Sequence, residues 1–354
     1  MLIPWNRVGL REPDSRQASG WPRPYTKESA ALRVWHRAEP PASVRASLLL
    51  LLVASVPVPG CLTSHVIGNH PEWREITATP EQFGLRAEPI TFQSIDGVTL
   101  HAWRIAAQTD RGIDVVFAHG QGGNKSDMLE RAAFLAAAGY GVLTVDLRAH
   151  GQSEGGYMTP GYKEADDVLA ALALLKTESP ERRVVLFGYS YGAVAVLLAA
   201  ARTSDAAAII ADSAFKAHAE MMRRIVDVVR DDPESSTMAK LGIGFVRWPG
   251  VLWLSTVEFY LRTGVRLNTP ESNAIHVVPQ IDSTPLLFLS GERDKIAPPS
   301  DARELLNAAT TPTKELVILS NVGHTTYSER SKQAYEEAVL RFLEALVSSD
   351  RSSD

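Results

Sequence analysis

The stretch Gly188-Tyr189-Ser190-Tyr191-Gly192 constrains the fold of this chain more than any other. It follows the apolar run 184–187, which predicts a short buried strand, and it precedes residues 193–201, whose small apolar side chains predict a tightly packed helix. A serine on a sharp turn between a strand and a helix holds its hydroxyl above the edge of the sheet, and flanking glycines suit so crowded a turn. The pattern predicts a nucleophile at Ser190; the alternative is a Gly-Ser turn that closes an ordinary βα unit.

A nucleophilic serine needs a base and an acid from elsewhere in the chain, and we expect both to follow strands. The apolar run 285–290 leads into a loop that contains Asp294, and the run 316–319 leads into a loop that contains His324. The chain order is therefore serine, aspartate, histidine, which is the order in which one superfamily presents its triad. These three residues are the predicted catalytic triad.

Each of the two partner roles has rivals. Asp282 precedes its strand, and Asp301 lies in the next predicted helix, where we expect its side chain to point into water. His218 and His276 lie in a segment with no strand before them, and we expect them at the surface. The two residues that follow strands therefore remain the preferred acid and base.

With these motifs, the chain resembles the α/β-hydrolases over residues 89–346. The resemblance implies an α/β fold with a mostly parallel eight-stranded sheet, an antiparallel start, helices on both faces and a helical cap inserted at about residues 215–281. In that family the serine attacks, the histidine takes its proton and the aspartate holds the imidazole tautomer. By this resemblance Ser190 is the nucleophile, His324 the base and Asp294 the orienting acid.

A glycine-rich loop, His119-Gly120-Gln121-Gly122-Gly123-Asn124, follows the earlier apolar run 114–118. Such a loop lets backbone N–H groups face a developing alkoxide. The resemblance makes the amides of Gln121 and Tyr191 the donors of an oxyanion hole, and it makes His119 a structural histidine that fixes the loop beside Gly120; the alternative for His119 is a second base. The loop lacks both the G-x-G-x-x-G spacing and a G-K-[ST] ending, so a nucleotide site is not expected.

Residues 142–153 resemble the D-x-R-x-x-G-x-S segment that follows a central strand in many α/β-hydrolases. We expect Asp146 and Arg148 to form an ion pair that braces this loop, because charges near a sheet edge usually need partners. His150 is expected to be an exposed loop residue and receives no role.

The order of strand-like and helical stretches supports the same architecture without reference to a family. Helical stretches such as 128–138 and 164–175 alternate with apolar runs, which predicts right-handed βαβ crossovers around a mostly parallel sheet. Asp96-Gly97 separates two short runs and predicts a tight hairpin, so the first strands should be antiparallel. Residues 347–354 are polar, and we expect a disordered tail there.

The pattern changes between residues 215 and 281, where no strand is evident and helices are predicted at 219–229 and 251–261. In an α/β-hydrolase an insertion at this place is the lid. Its aromatic side chains are candidates to line an acyl or aromatic pocket, although such residues more often pack a cap on its core. They are Phe245, Trp248, Trp253, Phe259 and Tyr260.

Residues 1–60 are predicted to be an extension with a lipoprotein-type signal. The first part is rich in arginine and proline and looks unable to fold alone, whereas the run 46–60 is apolar and suits a signal-peptide h-region but is too short to span a bilayer. Cys61, the single cysteine, ends a stretch that resembles a bacterial lipobox. This predicts cleavage before Cys61, a lipid on its sulfur, and membrane attachment in a bacterial cell envelope, with residues 61–88 as a linker.

Three alternatives to lipidation stay open: ordinary secretion, a short membrane anchor, and a buried helix of a cytoplasmic enzyme. The h-region also begins unusually late in the chain. A further hypothesis is therefore that translation starts near Val44 and that residues 1–43 are absent from the natural protein.

Composition is that of a globular enzyme, with 354 residues, 45% of them hydrophobic and 22% charged. Residues 1–60 hold 8 of the 36 basic and 4 of the 41 acidic residues, so the remainder has 28 and 37, a net charge of −9. Electrostatics therefore disfavour a nucleic-acid partner. The sequence has no C-x-x-C pair or H-E-x-x-H motif, so neither a metal nor another cofactor is expected.

The sequence thus predicts a serine hydrolase that cleaves a carboxylic ester of a small-molecule or lipid-like acyl substrate through an acyl-enzyme. A serine aminopeptidase-like peptidase and an acyl-thioesterase are alternatives. A non-catalytic binding protein that keeps the fold is the alternative from another class. The substrate and the oligomeric state stay open.

Overall fold

The structure is a computed structural model that describes residues 71–232, 257–266 and 269–351. Eight strands form one sheet in the order β1-β2-β4-β3-β5-β6-β7-β8. The strands are β1 (Ala87–Gln93), β2 (Thr99–Ile105), β3 (Ile113–Ala118), β4 (Gly141–Asp146), β5 (Arg183–Tyr189), β6 (Ala206–Asp212), β7 (Leu286–Gly291) and β8 (Lys314–Leu319).

Helices connect the strands and cover both faces of the sheet. They are α1 (Leu129–Ala137), α2 (Glu164–Glu178), α3 (Tyr191–Ala200), α4 (His218–Asp231), α5 (Ala274–Val277), α6 (Pro299–Ala308) and α7 (Lys332–Arg351). Short 3₁₀ turns lie at Pro71–Arg74, Pro80–Phe83, Lys125–Met128, Pro270–Ser272 and Val278–Gln280. Residues 257–263 are also helical.

The sheet begins antiparallel and continues parallel, as predicted. β1 pairs with β2 from Ala87↔Ile105 to Gln93↔Thr99, and β2 is antiparallel to β4. Gly97 closes the first hairpin at φ 84°, a backbone conformation that favours glycine. The remaining pairs, from β4–β3 to β7–β8, are all parallel, because helices return the chain to the same edge each time.

Strands in the middle of the sheet are apolar on both sides because helices cover both faces. On one face, Val116 and Leu186 pack in a cluster that includes much of α2 and α3. On the other face, the neighbouring Val115 and Val185 pack in a cluster that includes residues of α1 and α7. The two clusters form a three-layer αβα core, and the predicted α/β-hydrolase fold is confirmed.

The region predicted as a cap is only partly described. Within residues 215–281 the described residues form helices and no strand. Phe259 is buried and Tyr260 is 41% exposed. Phe245, Trp248 and Trp253 lie outside the described residues.

Both ends of the predicted hydrolase domain differ from expectation. Trp73 and Leu85 are buried in the core, so the described part of the predicted linker 61–88 is packed on the domain. Helix α7 extends to Arg351, so the predicted tail at 347–354 begins as a helix. Cys61 and the rest of residues 1–70 lie outside the described residues. Among the helices described, none combines the length and apolar character needed to cross a bilayer.

Candidate active site

Ser190 lies on the turn between β5 and α3, at φ 54° and ψ −115°. The turn fits against the neighbouring strands so closely that a Cβ atom on Gly188 would lie 2.1 Å from the carbonyl oxygen of Gly192, and one on Gly192 would lie 2.1 Å from that of Ala118. The Ser190 amide donates to the carbonyl of Asp212 at 2.8 Å, which ties the turn to the end of β6. The sequence therefore needs glycine on both sides of Ser190, as the pentapeptide indicates.

The structure brings Ser190, His324 and Asp294 into one hydrogen-bonded series. Ser190 Oγ lies 2.9 Å from His324 Nε2, and His324 Nδ1 lies 2.8 Å from Asp294 Oδ2. Asp294 Oδ2 accepts a hydrogen bond from the His324 Nδ1–H, which leaves the Nε2 lone pair for the serine hydroxyl. The second oxygen of Asp294 accepts the amides of Ile296 and Ala297, each at 2.8 Å, so the carboxylate is held from both sides.

The loop that carries His324 is anchored through its backbone. The hydroxyls of Tyr189 and Ser213 both donate to the carbonyl of His324, at 3.2 and 3.1 Å. Ser213 directly follows β6 and has φ 54°, an uncommon conformation for a residue other than glycine. Tyr189, which precedes Ser190, and Ser213, directly after β6, therefore hold the loop that carries the imidazole.

A buried charged cluster, which sequence reasoning missed, lies beneath this loop. Asp212 is fully buried and accepts hydrogen bonds from the hydroxyls of Thr326 (2.6 Å) and Tyr335 (2.9 Å). Arg131 lies 3.7 Å from its carboxylate and 5.2 Å from the ring centre of Tyr189. Burial raises the pKa of Asp212, and Arg131 and the hydroxyl donors oppose that shift. The sequence signals were an aspartate at the end of a buried strand and an arginine on the apolar helix α1.

The two residues that carry the predicted oxyanion donors, Gln121 and Tyr191, both line one small cavity. The Gly120–Gly123 segment forms a turn closed by the Gly123 amide on the carbonyl of Gly120 at 3.1 Å. Tyr191 is the first residue of α3, so its amide has no acceptor within the helix. Both turn and helix line a cavity of about 10 Å³, room for one water molecule. Its lining residues are His119, Gly120, Gln121, Leu147, His150, Met158, Gly161, Glu164 and Tyr191.

Residues 115–338 match the sequence profile of the alpha/beta hydrolase family, which is more than half of the chain. This chain is an α/β-hydrolase.

Its relatives are distant. The hydrolase is 28% identical to the uncharacterized protein YqkD of Bacillus subtilis, covering 65% of this chain and 70% of that one. It is also 28% identical to the alpha/beta hydrolase domain-containing protein WAV2 of Arabidopsis thaliana, covering 78% and 84%. Among solved structures, the Pyrococcus furiosus esterase Pf2001 is similar with a TM-score of 0.61 at 24% identity, covering 76% of this chain and 96% of that one. At this identity the structural likeness shows the fold.

In this hydrolase, His119 is buried and both of its ring nitrogens contact backbone groups. The Leu147 amide donates to Nε2 at 3.1 Å, so the proton is on Nδ1, which donates to the carbonyl of Gly120 at 2.8 Å. Burial lowers the pKa of His119 to about 4. A histidine engaged in this way fixes a loop, and it has no free nitrogen with which to act as a second base.

The prediction that His150 is exposed is wrong. His150 is 2% exposed and stacks on Trp73, with ring centres 4.8 Å apart and planes at 4°. Its Nε2 accepts the amide of Gly122 at 3.3 Å, and its Nδ1 donates to the carbonyl of Arg148 at 2.8 Å. Burial lowers its pKa to about 3, and the neighbouring His119 adds to the shift. The sequence did not show that a tryptophan 77 positions earlier covers this loop.

The predicted ion pair between Asp146 and Arg148 is also wrong, because each residue has a different partner. The Asp146 carboxylate pairs with the buried ammonium of Lys125 at 2.5 Å. Arg148 pairs with Asp167 at 2.6 Å and with Asp96 at 2.8 Å. The rule that buried charges need partners holds, but the partners come from elements that local sequence does not bring together.

Two rivals of the triad are not surface residues, contrary to prediction. Asp301 is fully buried and pairs with Arg224 at 2.6 Å, which joins α6 to α4. His218 is buried at the start of α4, where Nε2 donates to the carbonyl of Pro160 at 2.5 Å. His276 and Asp282 are exposed. Within the described ranges, no group of three or more metal-ligating side chains is present.

Proposed function

We propose that this α/β-hydrolase is a serine hydrolase that cleaves a carboxylic ester through an acyl-enzyme. The single observation that carries the proposal is the unbroken series from Ser190 Oγ through His324 to Asp294, at 2.9 and 2.8 Å, on a strand-turn-helix elbow. A chain that keeps the fold only for binding has no need of a strained serine aligned with an oriented imidazole. The family itself supports hydrolase activity.

The proposed reaction has two halves. Ser190 Oγ attacks the carbonyl carbon while its proton passes to His324 Nε2, and the carbonyl π electrons move to the oxygen. The C–O bond to the alcohol then breaks, and the imidazolium returns its proton to that leaving oxygen. Water repeats the sequence on the acyl-serine and releases the acid. Asp294 keeps the Nδ1 proton in place throughout and stabilises the imidazolium.

The proposed oxyanion donors are the backbone amides of Gln121, in the glycine-rich turn that packs against the Ser190 elbow, and of Tyr191, which directly follows Ser190. Gly120 permits this approach: a Cβ atom there would lie 3.3 Å from the Cβ of Ser190 and 3.0 Å from the ring of Tyr189. Each such donor contributes about 3 kcal/mol to lowering the barrier. The dipole of α3, whose first residue is Tyr191, adds to the positive potential at this point.

The structural likeness to an esterase makes an ester the first substrate class to test. A proline iminopeptidase from Mycobacterium smegmatis is also similar, with a TM-score of 0.53 at 16% identity, covering 74% of this chain and 100% of that one, so amide hydrolysis is the second candidate. A thioester is a third candidate from the sequence. The substrate is proposed to be a small or lipid-like acyl compound. The net charge of −9 after residue 60 disfavours a nucleic-acid partner.

We also propose export and attachment to a bacterial membrane through a lipid on Cys61. The proposal rests on the apolar run 46–60 and its lipobox-like end. Mass spectrometry of the protein from its native membrane fraction would show an acylated N-terminal Cys61. Recovery of an unmodified peptide that contains Cys61 preceded by its upstream residues would contradict it.

The catalytic proposal is tested with a fluorophosphonate probe, which labels an activated serine. We expect the wild type to be labelled and the variants Ser190→Ala and His324→Ala to lose labelling and hydrolysis of p-nitrophenyl esters. Full labelling of Ser190→Ala would refute the nucleophile, and an unlabelled wild type would favour the non-catalytic alternative. Rates on p-nitrophenyl esters of rising chain length, on acyl thioesters and on aminoacyl anilides would then decide the substrate class.

A further inference from the structure

The two peptide groups on either side of Gln121 are each held by a histidine. The carbonyl of Gly120 and the amide of Gln121 belong to one planar trans peptide, so fixing the oxygen fixes the direction of the N–H. His119 Nδ1 holds that oxygen at 2.8 Å. The next peptide, between Gln121 and Gly122, is held by His150, whose Nε2 accepts the Gly122 amide at 3.3 Å. A flip of either peptide would break one of these bonds.

His150 is in turn held by a segment that precedes the sheet. We name residues 73–77 the N-terminal clamp. The Trp73 ring stacks on the His150 ring at 4.8 Å, and its carbonyl accepts the Gly151 amide at 2.9 Å. The Arg74 guanidinium donates to carbonyls of the same loop, including that of Ser153 at 2.9 Å. His150 therefore has a tryptophan on one face and an anchored loop beneath it.

The N-terminal clamp also contacts the other end of the glycine-rich turn. Asn124 donates its side-chain amide to the carbonyl of Glu75 at 2.8 Å. The Thr77 amide donates to Ser126 Oγ at 3.3 Å, and Ser126 lies in the 3₁₀ turn that directly follows Asn124. The clamp lies outside residues 115–338, which carry the family match, yet it touches both loops that shape the proposed oxyanion hole.

From these contacts we propose that His150 and Trp73 are positioning residues: Trp73 holds the His150 ring, and His150 holds the Gln121–Gly122 peptide. This contact supports the turn in which the preceding peptide, held by His119, directs the Gln121 amide to the oxyanion. The proposal rests on the proposed acyl-transfer function. Neither residue touches the reacting atoms, so their loss should lower kcat and leave KM within about twofold. Complete loss of one oxyanion donor lowers kcat by about 10²- to 10³-fold, so a donor that is misdirected part of the time should lose about tenfold.

The test compares Trp73→Ala, Trp73→Phe, His150→Phe and a matched control, Leu85→Ala. Leu85 lies in the same upstream segment and is as buried as Trp73, at 6% against 5% exposed, but it belongs to the cluster on the other face of the sheet. We expect kcat on a p-nitrophenyl ester, per folded protein, to fall about tenfold in Trp73→Ala and His150→Phe. Trp73→Phe, which keeps a stacking ring, should recover most of the rate, and Leu85→Ala should keep it. Equal kcat in Trp73→Ala and Leu85→Ala would overturn the proposal.

A double-mutant cycle tests whether Trp73 acts through His150. If it does, Trp73→Ala lowers kcat in the wild-type background and has little further effect in the His150→Phe background. Independent, multiplicative losses would overturn the proposed route.

Hydrogen–deuterium exchange separates this proposal from the proposed function, because it needs no activity. Exchange of a peptide that covers residues 119–124 should rise in Trp73→Ala and His150→Phe and stay at the wild-type level in Leu85→Ala. An inactive, unlabelled wild type that shows this exchange pattern would remove the proposed function and leave the positioning role supported. An active wild type with unchanged exchange in all variants would overturn the positioning role alone.

Discussion

The two sides of Ser190 are built on different physical principles. On the His324 side, the loop lies over a buried charged cluster in which Asp212 contacts Arg131 and the hydroxyls of Thr326, Tyr335 and Ser213. On the oxyanion side, the turn that carries Gln121 is held by two buried imidazoles, His119 and His150, whose acceptor nitrogens require the neutral form. In the proposed reaction both sides must hold a group in place closely, because a misplacement of about 1 Å can lower the rate about 10²-fold.

This difference predicts which kind of change should disrupt the structure on each side of Ser190. A charged cluster fails when one partner is removed, because the other is left buried and unpaired. Neutral imidazoles lose these hydrogen bonds at low pH, because a protonated Nε2 no longer accepts a backbone N–H. The same active site should therefore be sensitive to mutation on one side and to acid on the other.

The largest expected effect is on the His324 side, from Asp294→Asn. Asparagine can still accept the amides of Ile296 and Ala297, so the fold should persist, but it no longer holds the Nδ1 proton of His324. We expect kcat to fall by about 10⁴-fold with little change in stability. Asp282→Asn, at an exposed position before β7, is the control and should be active. A loss in Asp294→Asn smaller than tenfold would show that another group orients the histidine.

The second effect is on stability, from Asp212→Asn. Asparagine offers a single acceptor oxygen to the hydroxyls that the carboxylate binds, and it removes the carboxylate with which buried Arg131 pairs. We expect the free energy of unfolding to fall by about 3 kcal/mol, measured by urea denaturation. Asp301→Asn should cost less, because Asp301 is equally buried but its partner Arg224 is 23% exposed. Equal losses in the two variants would mean that the cluster under His324 contributes no more to stability than the pair between Asp301 and Arg224.

These two aspartates also show how far the sequence could be read. Asp294 was found because it follows a strand, and strand ends converge at one edge of a parallel sheet. The importance of Asp212, at the end of β6, was missed because its partners Arg131, Thr326 and Tyr335 are 81, 114 and 123 residues away along the chain. Local patterns predict strands, turns and glycines that a close approach requires, but they do not show which distant charge completes a pair.

The oxyanion side illustrates the same limit. The glycines of residues 119–124 indicate a turn, and the position of the His-Gly pair indicates an anchored loop. The sequence did not predict that His150 is buried. The residue that covers it, Trp73, lies in a stretch with neither helical nor strand periodicity. The three-layer αβα fold follows from repeated local signals, whereas a site assembled from loops depends on long-range contacts.

The third effect is a loss of stability in acid that comes from the oxyanion side. Burial lowers the pKa of His150 to about 3, below the ordinary value of 6.5, so the folded state binds fewer protons than the unfolded state between these values. The contribution of His150 is therefore complete above pH 6.5 and is lost as pH falls towards 3. At pH 5 the loss should be about 2 kcal/mol for His150, and His119 should add a loss of similar size down to its pKa of about 4.

Urea unfolding of wild type and His150→Phe at pH 7, 6 and 5 measures this loss. Asp146 and Arg74 also face the imidazole, and carboxyl groups such as Asp212 and Glu164 titrate with the opposite sign. The difference between the two proteins removes groups that titrate alike in both. We expect the advantage of wild type over His150→Phe to shrink by about 2 kcal/mol between pH 7 and pH 5. A constant difference would mean that His150 binds protons equally in the folded and unfolded states, so that burial does not lower its pKa.

The smallest effect is expected from Tyr189→Phe, which removes one of the two hydroxyls that hold the backbone of His324 and leaves the ring in place. The hydrogen bond to the His324 carbonyl is 3.2 Å long, and Ser213 supplies a second donor to the same oxygen at 3.1 Å. A single bond of this kind contributes about 1 kcal/mol, so kcat should fall about fivefold with KM unchanged. Because Ser213 still holds the loop, the loss should be far smaller than in Asp294→Asn.

Tyr140→Phe is the matched control for this last change. Tyr140 is fully buried, and it precedes β4 and so lies at the amino edge of the sheet, opposite the site. The kcat of Tyr140→Phe should equal that of wild type.

Combining Tyr189→Phe with Ser213→Gly removes both donors, and glycine adopts the positive φ of residue 213 without strain. A loss greater than the product of the two single losses would show that the two hydroxyls substitute for each other in holding His324; strictly multiplicative losses would show that each acts alone.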